Sequence, residues 1–260
     1  LLNLVRRESL AEHIRLTIVR ELEFAIGEDI LCEGSAMSSV KAIEFNLLNN
    51  ARDSLHQAVH LLAFDDAGPS ESRLKHAIVN TAHCVELLLK ERLRRVDPTQ
   101  VLKDPRKYPS LSAYTVTVDG AIDRLRTKGS VVISATDGEV ITNLCTARNA
   151  IIHYEWSITT KAAKVIVGEG LSFVFSFGRA ELGIDLSKEF QADDAWASLL
   201  EELYQFTESY QKRLEAMMCT RGDDPVECSK CGEEAVPWHG GSCELCGHWN
   251  DFEMIETAEE

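Results

Sequence analysis

Between two strong breakers, Asp65-Asp66-Ala67-Gly68-Pro69-Ser70 and Asp97-Pro98, the sequence runs from residue 71 to residue 96 without a glycine or a proline. Within that run Ile78, Ala82, Val85, Leu89 and Leu93 recur at near-heptad spacing, which puts one apolar stripe along a long α-helix. The proline at 98 disfavours helical backbone at Asp97, so the helix is expected to stop there. A helix of this length with an apolar stripe must be covered, and the flanking sequence offers more helices to cover it.

Leu4, Val5, Ile14, Ile18, Leu22 and Ile26 predict an amphipathic helix over 4–26. Ile43, Leu47, Leu55, Val59 and Leu62 predict another over 38–64, with Ser38 or Ser39 as its N-cap. Residues 99–110, with Pro105 and Pro109, read as a loop, and a shorter helix follows around 118–128. After a connection at 129–136, a helix runs from near Gly138 to His153. Residues 189–218 return to helix, with Trp196, Leu199, Leu200, Leu203, Phe206 and Tyr210 on one face. One stretch breaks the helical pattern. Phe173, Phe175 and Phe177 alternate after Gly168-Glu169-Gly170, which predicts a β-hairpin near 164–177 turning at the glycines.

The helix ending at His153 carries the most concentrated chemistry. Arg148-Asn149-Ala150-Ile151-Ile152-His153 places a guanidinium, an amide and an imidazole within six residues. At about 100° per residue, Asn149 and His153 lie about 40° apart on one face. Val140, Leu144, Ala147, Ile151 and Tyr154 form the stripe expected to face the core. Ile141, Cys145 and Ile152 form a second, narrower apolar line, which suits a helix–helix or subunit contact. A bland reading also fits: a histidine in a last helical turn meets the negative end of the dipole.

This Arg-Asn-x3-His pattern resembles the R-x4–6-H signature of HEPN domains, a helical family rich in metal-independent ribonucleases. The run from Lys75-His76-Ala77-Ile78-Val79-Asn80 through Glu86-Leu87-Leu88-Leu89-Lys90 resembles that family's other characteristic helix. The resemblance covers roughly residues 40–156. It implies a dimer that brings two motifs into one cleft and cleaves single-stranded RNA, leaving a 2′,3′-cyclic phosphate. Arg148, Asn149 and His153 would be the catalytic set, joined by Glu86 as the polar residue of the earlier helix. Glu86 is equally placed for an ordinary salt bridge with Lys90, four residues on.

Cys228-Ser229-Lys230-Cys231 and Cys243-Glu244-Leu245-Cys246 are two C-x2-C pairs, each followed at once by a glycine, Gly232 and Gly247. Four thiolates on two such turns suit a closed tetrahedral zinc site of the ribbon type, with a structural ion. His239 and His248 lie nearby and are read as non-ligands because the shell is full. Cys32, Cys84, Cys145 and Cys219 are read as small buried hydrophobes.

The formal net charge of −15 is unevenly spread. Residues 219–260 hold 2 basic and 11 acidic side chains, a net −9, whereas residues 37–156 hold 15 and 14. The acidic ribbon is therefore a poor nucleic-acid binder and is expected to meet a protein partner, such as an antitoxin, or the basic helices. Lys90-Arg92-Arg94-Arg95, Lys103-Arg106-Lys107 and Arg124-Arg126-Lys128 are the clusters able to follow a phosphate backbone. No apolar run approaches 18 residues, and the first residues lack a secretory pattern, so a cytoplasmic protein without a membrane span is expected.

Together these readings give a mainly α protein, a HEPN-like bundle with an inserted hairpin and a small C-terminal zinc ribbon. The expected division is an N-terminal helical extension at 1–36, ahead of Met37, a helical domain at 37–218 and the ribbon at 219–260. The expected function is an endoribonuclease acting as a toxin or antiviral effector. The alternative is a non-catalytic HEPN scaffold or nucleotide-binding module.

Overall fold

The computed structural model describes residues 45–63, 68–110 and 112–251. The expected helix over 4–26, the Met37 start, Ser38, Ser39 and Cys32 lie outside these residues. The described chain holds seven α-helices and, at its C-terminal end, two small two-stranded sheets.

Helix α1, Leu47–Leu62, begins at Asn46, whose side chain accepts a 2.8 Å hydrogen bond from the Asn49 amide. Its start is thus several residues later than the expected N-cap at Ser38 or Ser39, because Asn46 satisfies the orphan amides of the first turn. Helix α2, Glu71–Val96, has the expected bounds, with Ser70 as N-cap and Asp97 after its last turn. Arg73 of α2 donates to the carbonyls of Leu61 and His60, each at 2.8 Å, and to that of Ala63. One guanidinium so caps the open carbonyl end of α1 and fixes the α1–α2 hairpin.

Short 3₁₀ turns at Pro98–Val101 and Pro105–Lys107 lead through a bridge between Leu102 and Thr115 to α3, Val118–Lys128. Helix α4, Ala135–His153, starts three residues before Gly138, where Ser134 and Asp137 cap each other at 3.0 and 2.8 Å.

The expected β-hairpin near 164–177 is absent. Residues 160–182 form helix α5, Thr160–Leu182, and Phe173, Phe175 and Phe177 are all buried in it. The alternation misled because the middle of this helix, residues 170–178, is buried on every side and so has no polar face to mark its 3.6-residue period. Its internal hydroxyls are satisfied: Ser176 donates to the Ser172 carbonyl, and Ser209 of α7 donates to the Ser172 hydroxyl.

The two glycines expected to turn the hairpin instead let helices touch. A Cβ on Gly168 would sit 3.0 Å from the backbone nitrogen of Phe206, and one on Gly170 would sit 3.0 Å from Leu144 Cδ2. Gly168→Ala should therefore destabilise the protein by about 1–3 kcal/mol through overpacking. That is the opposite of the gain of about 1 kcal/mol that alanine gives an exposed helix. Urea unfolding decides between them, and a more stable variant would mean that α7 can step back.

The expected single helix over 189–218 is two helices, α6, Asp194–Glu202, and α7, Tyr204–Arg221, separated at Leu203 with φ −113° and ψ 67°. The break lets both bury their apolar faces: Trp196, Leu199, Leu203, Phe206 and Tyr210 are all within the core. Phe175 is the hub, with ring centroids 5.2 Å from Trp196, 5.4 Å from Tyr210 and 5.7 Å from Phe206. No helix among the described residues is long and apolar enough to cross a membrane.

Candidate functional site

Helix α4 packs on α2 and α5 through Val140, Ile141, Leu144 and Ala147, all buried. Its N-terminal end is tied to α7 by a 2.5 Å ion pair between Asp137 and Arg213. The expected core stripe holds for its first three members and then leaves the protein: Ile151 is half-buried and Tyr154 is 75% exposed. In the second apolar line, Ile141 is buried against the bundle, whereas Ile152 is exposed.

Arg148 and Asn149 open onto a cleft of about 520 Å³ between α2, α4 and the segment leading into α3. Glu86 of α2 and Asp119 of α3 line the same cleft. Arg148 is half-buried and donates to Asn149 Oδ1 at 3.0 Å. Glu86 accepts a 2.5 Å hydrogen bond from Lys90, whose buried ammonium also donates to Thr115 Oγ1 at 2.8 Å. Glu86 therefore makes the helix salt bridge open to it from sequence and faces the cleft as well. Sequence reasoning missed Thr115, Thr117 and Asp119, which reach the cleft only through the path of the 99–117 loop and carry no local pattern of their own.

Cys145 also lines the cleft. Burial, reinforced by the Glu86 charge, pushes its thiol up, with Arg148 opposing, so it stays protonated and is no nucleophile at neutral pH. Among the remaining cysteines, Cys84 is the buried hydrophobe expected, but Cys219 is exposed near the end of α7.

His153 stands outside this cleft. It is the last residue of α4, exposed, and its ring meets the edge of Tyr154 at 6.5 Å between centroids. Around it lies an apolar collar of Ile152, Tyr154, Trp156 and Ile158, exposed by 47, 75, 40 and 36%. Four large apolar side chains open to solvent within seven residues make a patch of the kind that marks an interaction surface.

Most members of the basic clusters are engaged within the chain. Glu91, almost wholly buried, accepts from Arg94 at 2.7 and 2.9 Å and from Arg95 at 2.9 Å, and Arg95 also donates to the Leu182 carbonyl. Burial pushes the Glu91 carboxyl up, but the hydrogen bonds from the two arginines outweigh it and hold the group below the usual range. Arg92 pairs with Glu181, Arg106 with Asp104 and Arg126 with Asp123. Arg124 is spent on the carbonyls of Gln100, Leu102 and Lys103.

At the C-terminal end, β1, Pro225–Glu227, pairs with β2, Glu234–Pro237, and β3, Gly241–Ser242, pairs with β4, Trp249–Asn250. Between the strands of the first pair Cys228 and Cys231 sit on one tight turn, and between those of the second Cys243 and Cys246 sit on another. Gly232 and Gly247 close the turns at φ +75° and +76°, and their amides donate to the carbonyls of Cys228 and Cys243 at 2.9 Å. All four sulfurs lie within 4.8 Å of one another, so this centre can hold one metal ion. The Cys228–Cys246 and Cys231–Cys243 separations are 3.7 and 3.8 Å. A tetrahedron with metal–sulfur bonds of about 2.3 Å has edges of about 3.8 Å, so the donor set fits. The amides of Lys230 and Cys246 and the side-chain amide of Asn250 donate to sulfurs at 3.4–3.5 Å and orient the cysteine side chains. Neither His239 nor His248 joins the group.

No family model, curated protein or solved structure matches this chain. The helical arrangement and the four-cysteine centre accordingly stand on the residues of this chain alone.

Proposed function

We propose that this chain is an endoribonuclease of the HEPN type that cleaves single-stranded RNA at a dimeric cleft, with zinc as the ion of its four-cysteine centre. The observation that carries the reading is the meeting of Glu86, Arg148 and Asn149 in one open cleft, on two helices that the motif resemblance had singled out separately. Arginine supplies a fixed fork for phosphate oxygens, and a histidine can move protons near neutral pH. In a single chain His153 lies one turn beyond the cleft, beside the exposed collar. A second copy seated on Ile152, Tyr154 and Trp156 covers that apolar surface and brings two histidines to the shared groove. The acidic ribbon is then the surface for a neutralising protein partner, in keeping with a toxin or antiviral effector.

Zinc is favoured by four cysteine sulfurs within 4.8 Å of one another, two of whose separations match the edge of a tetrahedral sulfur site, with no vacant fourth position.

The test is cleavage of a single-stranded RNA by the intact protein with magnesium omitted and EDTA present, bound zinc being measured before and after. Products ending in 2′,3′-cyclic phosphate are expected. The reading fails if intact protein, and protein ending at Met218, both leave the RNA uncut.

One observation favours the scaffold reading: Lys90 is paired with the cleft carboxylate Glu86, and Arg92, Arg94 and Arg95 of the same helix are paired with Glu181 and Glu91. A scaffold would retain self-association and ribbon binding and show no cleavage.

A further inference from the structure

We infer that the four-cysteine centre is a metal-dependent latch on the helical bundle, closed through the two residues that separate its second cysteine pair. Glu244 and Leu245 lie between Cys243 and Cys246, so any metal that fixes those two sulfurs also fixes their backbone. Glu244 meets both Arg179 of α5 and Arg221 at the end of α7, one guanidinium on each carboxylate oxygen. Arg179 is braced from the other side by Asp185 at 2.7 Å. Leu245 is fully buried, and its carbonyl accepts 2.8 Å from Trp196 Nε1 and 3.4 Å from Gln191 Nε2, which also donates to the Glu244 carbonyl. Trp196 packs in turn on Phe175, Phe190 and Phe206. An unbroken run of contacts therefore joins the sulfurs to the aromatic core of the bundle.

The coupling must act in both directions. If metal holds the loop in its docked form, then docking raises metal affinity by the same factor as metal strengthens docking. This inference does not rest on the ribonuclease reading.

The experiment uses the full chain. Glu244→Gln keeps all four thiolates but removes the charge that the two arginines share. Zinc affinity, measured by competition with a chromophoric chelator, should fall about 10-fold. In zinc-loaded protein, amide exchange at 179–203 and 218–221 should quicken. Glu234→Gln, an exposed carboxylate on the same module, should change neither. Stripping zinc from protein that keeps Trp196 as its sole tryptophan should shift its emission to the red, and re-addition should reverse the shift. If Glu244→Gln does not fold, Arg221→Gln takes its place, since Arg221 is half-exposed and the same losses are expected. Zinc affinity unchanged in the variant, equal losses in Glu234→Gln, or no change at Trp196 on stripping would each overturn the latch.

Discussion

His153→Ala should lower RNA cleavage by about 10²–10⁴-fold, the range that a positioned general acid or base contributes. Stability should hardly move. His153 is exposed, makes no side-chain hydrogen bond or ion pair among the described residues, and ends its helix. Surface changes of that kind stay within about 0.5 kcal/mol, with the lost dipole interaction the main contribution. The separation is what makes the variant informative: activity vanishes while melting temperature and self-association persist. Arg148→Lys should also lose most activity, because a point charge cannot reproduce the two-pronged contact of guanidinium with phosphate. Full cleavage by His153→Ala would sink the catalytic assignment, whatever Arg148→Lys did.

The largest stability effect is expected at Phe175→Ala, a loss of about 3–5 kcal/mol. Phe175 is 1% exposed and touches Trp196, Phe206, Tyr210 and Phe190, so its removal leaves a cavity walled by rings held from four directions. Such walls cannot collapse without moving α6 and α7, and the residual cavity raises the cost above that of transfer alone. Stabilities of whole domains are about 5–15 kcal/mol, and at about 2–4 °C per kcal/mol the variant should melt about 6–20 °C lower. Circular dichroism against temperature measures it. A loss under about 1 kcal/mol would mean that the aromatic cluster is looser than described.

The contrast between α2 and α5 explains how much of the fold could be read from sequence. Helix α2 has water on one side, so its apolar residues recur with the helical period, and its ends carry a capping serine and an aspartate–proline stop. Its bounds follow to the residue. Helix α5 is buried all round over residues 170–178, where every side is apolar or small, and a helix and a buried strand then look alike. Glycine added to the error, since it serves turns and close helix contacts equally. The break at Leu203 was invisible for a similar reason, because both halves keep one continuous apolar face. At the sites, the four cysteines were legible because tetrahedral sulfur geometry demands a local spacing. The cleft was only half legible: Arg148 and Asn149 are local, but the approach of Glu86, Asp119 and Thr115 depends on tertiary packing. The basic clusters misled because charge in a sequence does not disclose the carboxylate or carbonyl that engages it.

The enclosure of α5 also sets how this protein would be destroyed. An amphipathic helix stripped of a neighbour still has a polar side to offer water; the stretch 170–178 of α5 has none. Loss of α7 would uncover Phe175, which packs on Phe206 and Tyr210, whereas Phe173 and Phe177 lie about 200° away round the helix. A fragment lacking α7 is expected to aggregate or be degraded rather than persist as a smaller folded protein. Leu203, at the joint between α6 and α7, is itself buried, so the closed bundle shields the place where that flank could be cut open.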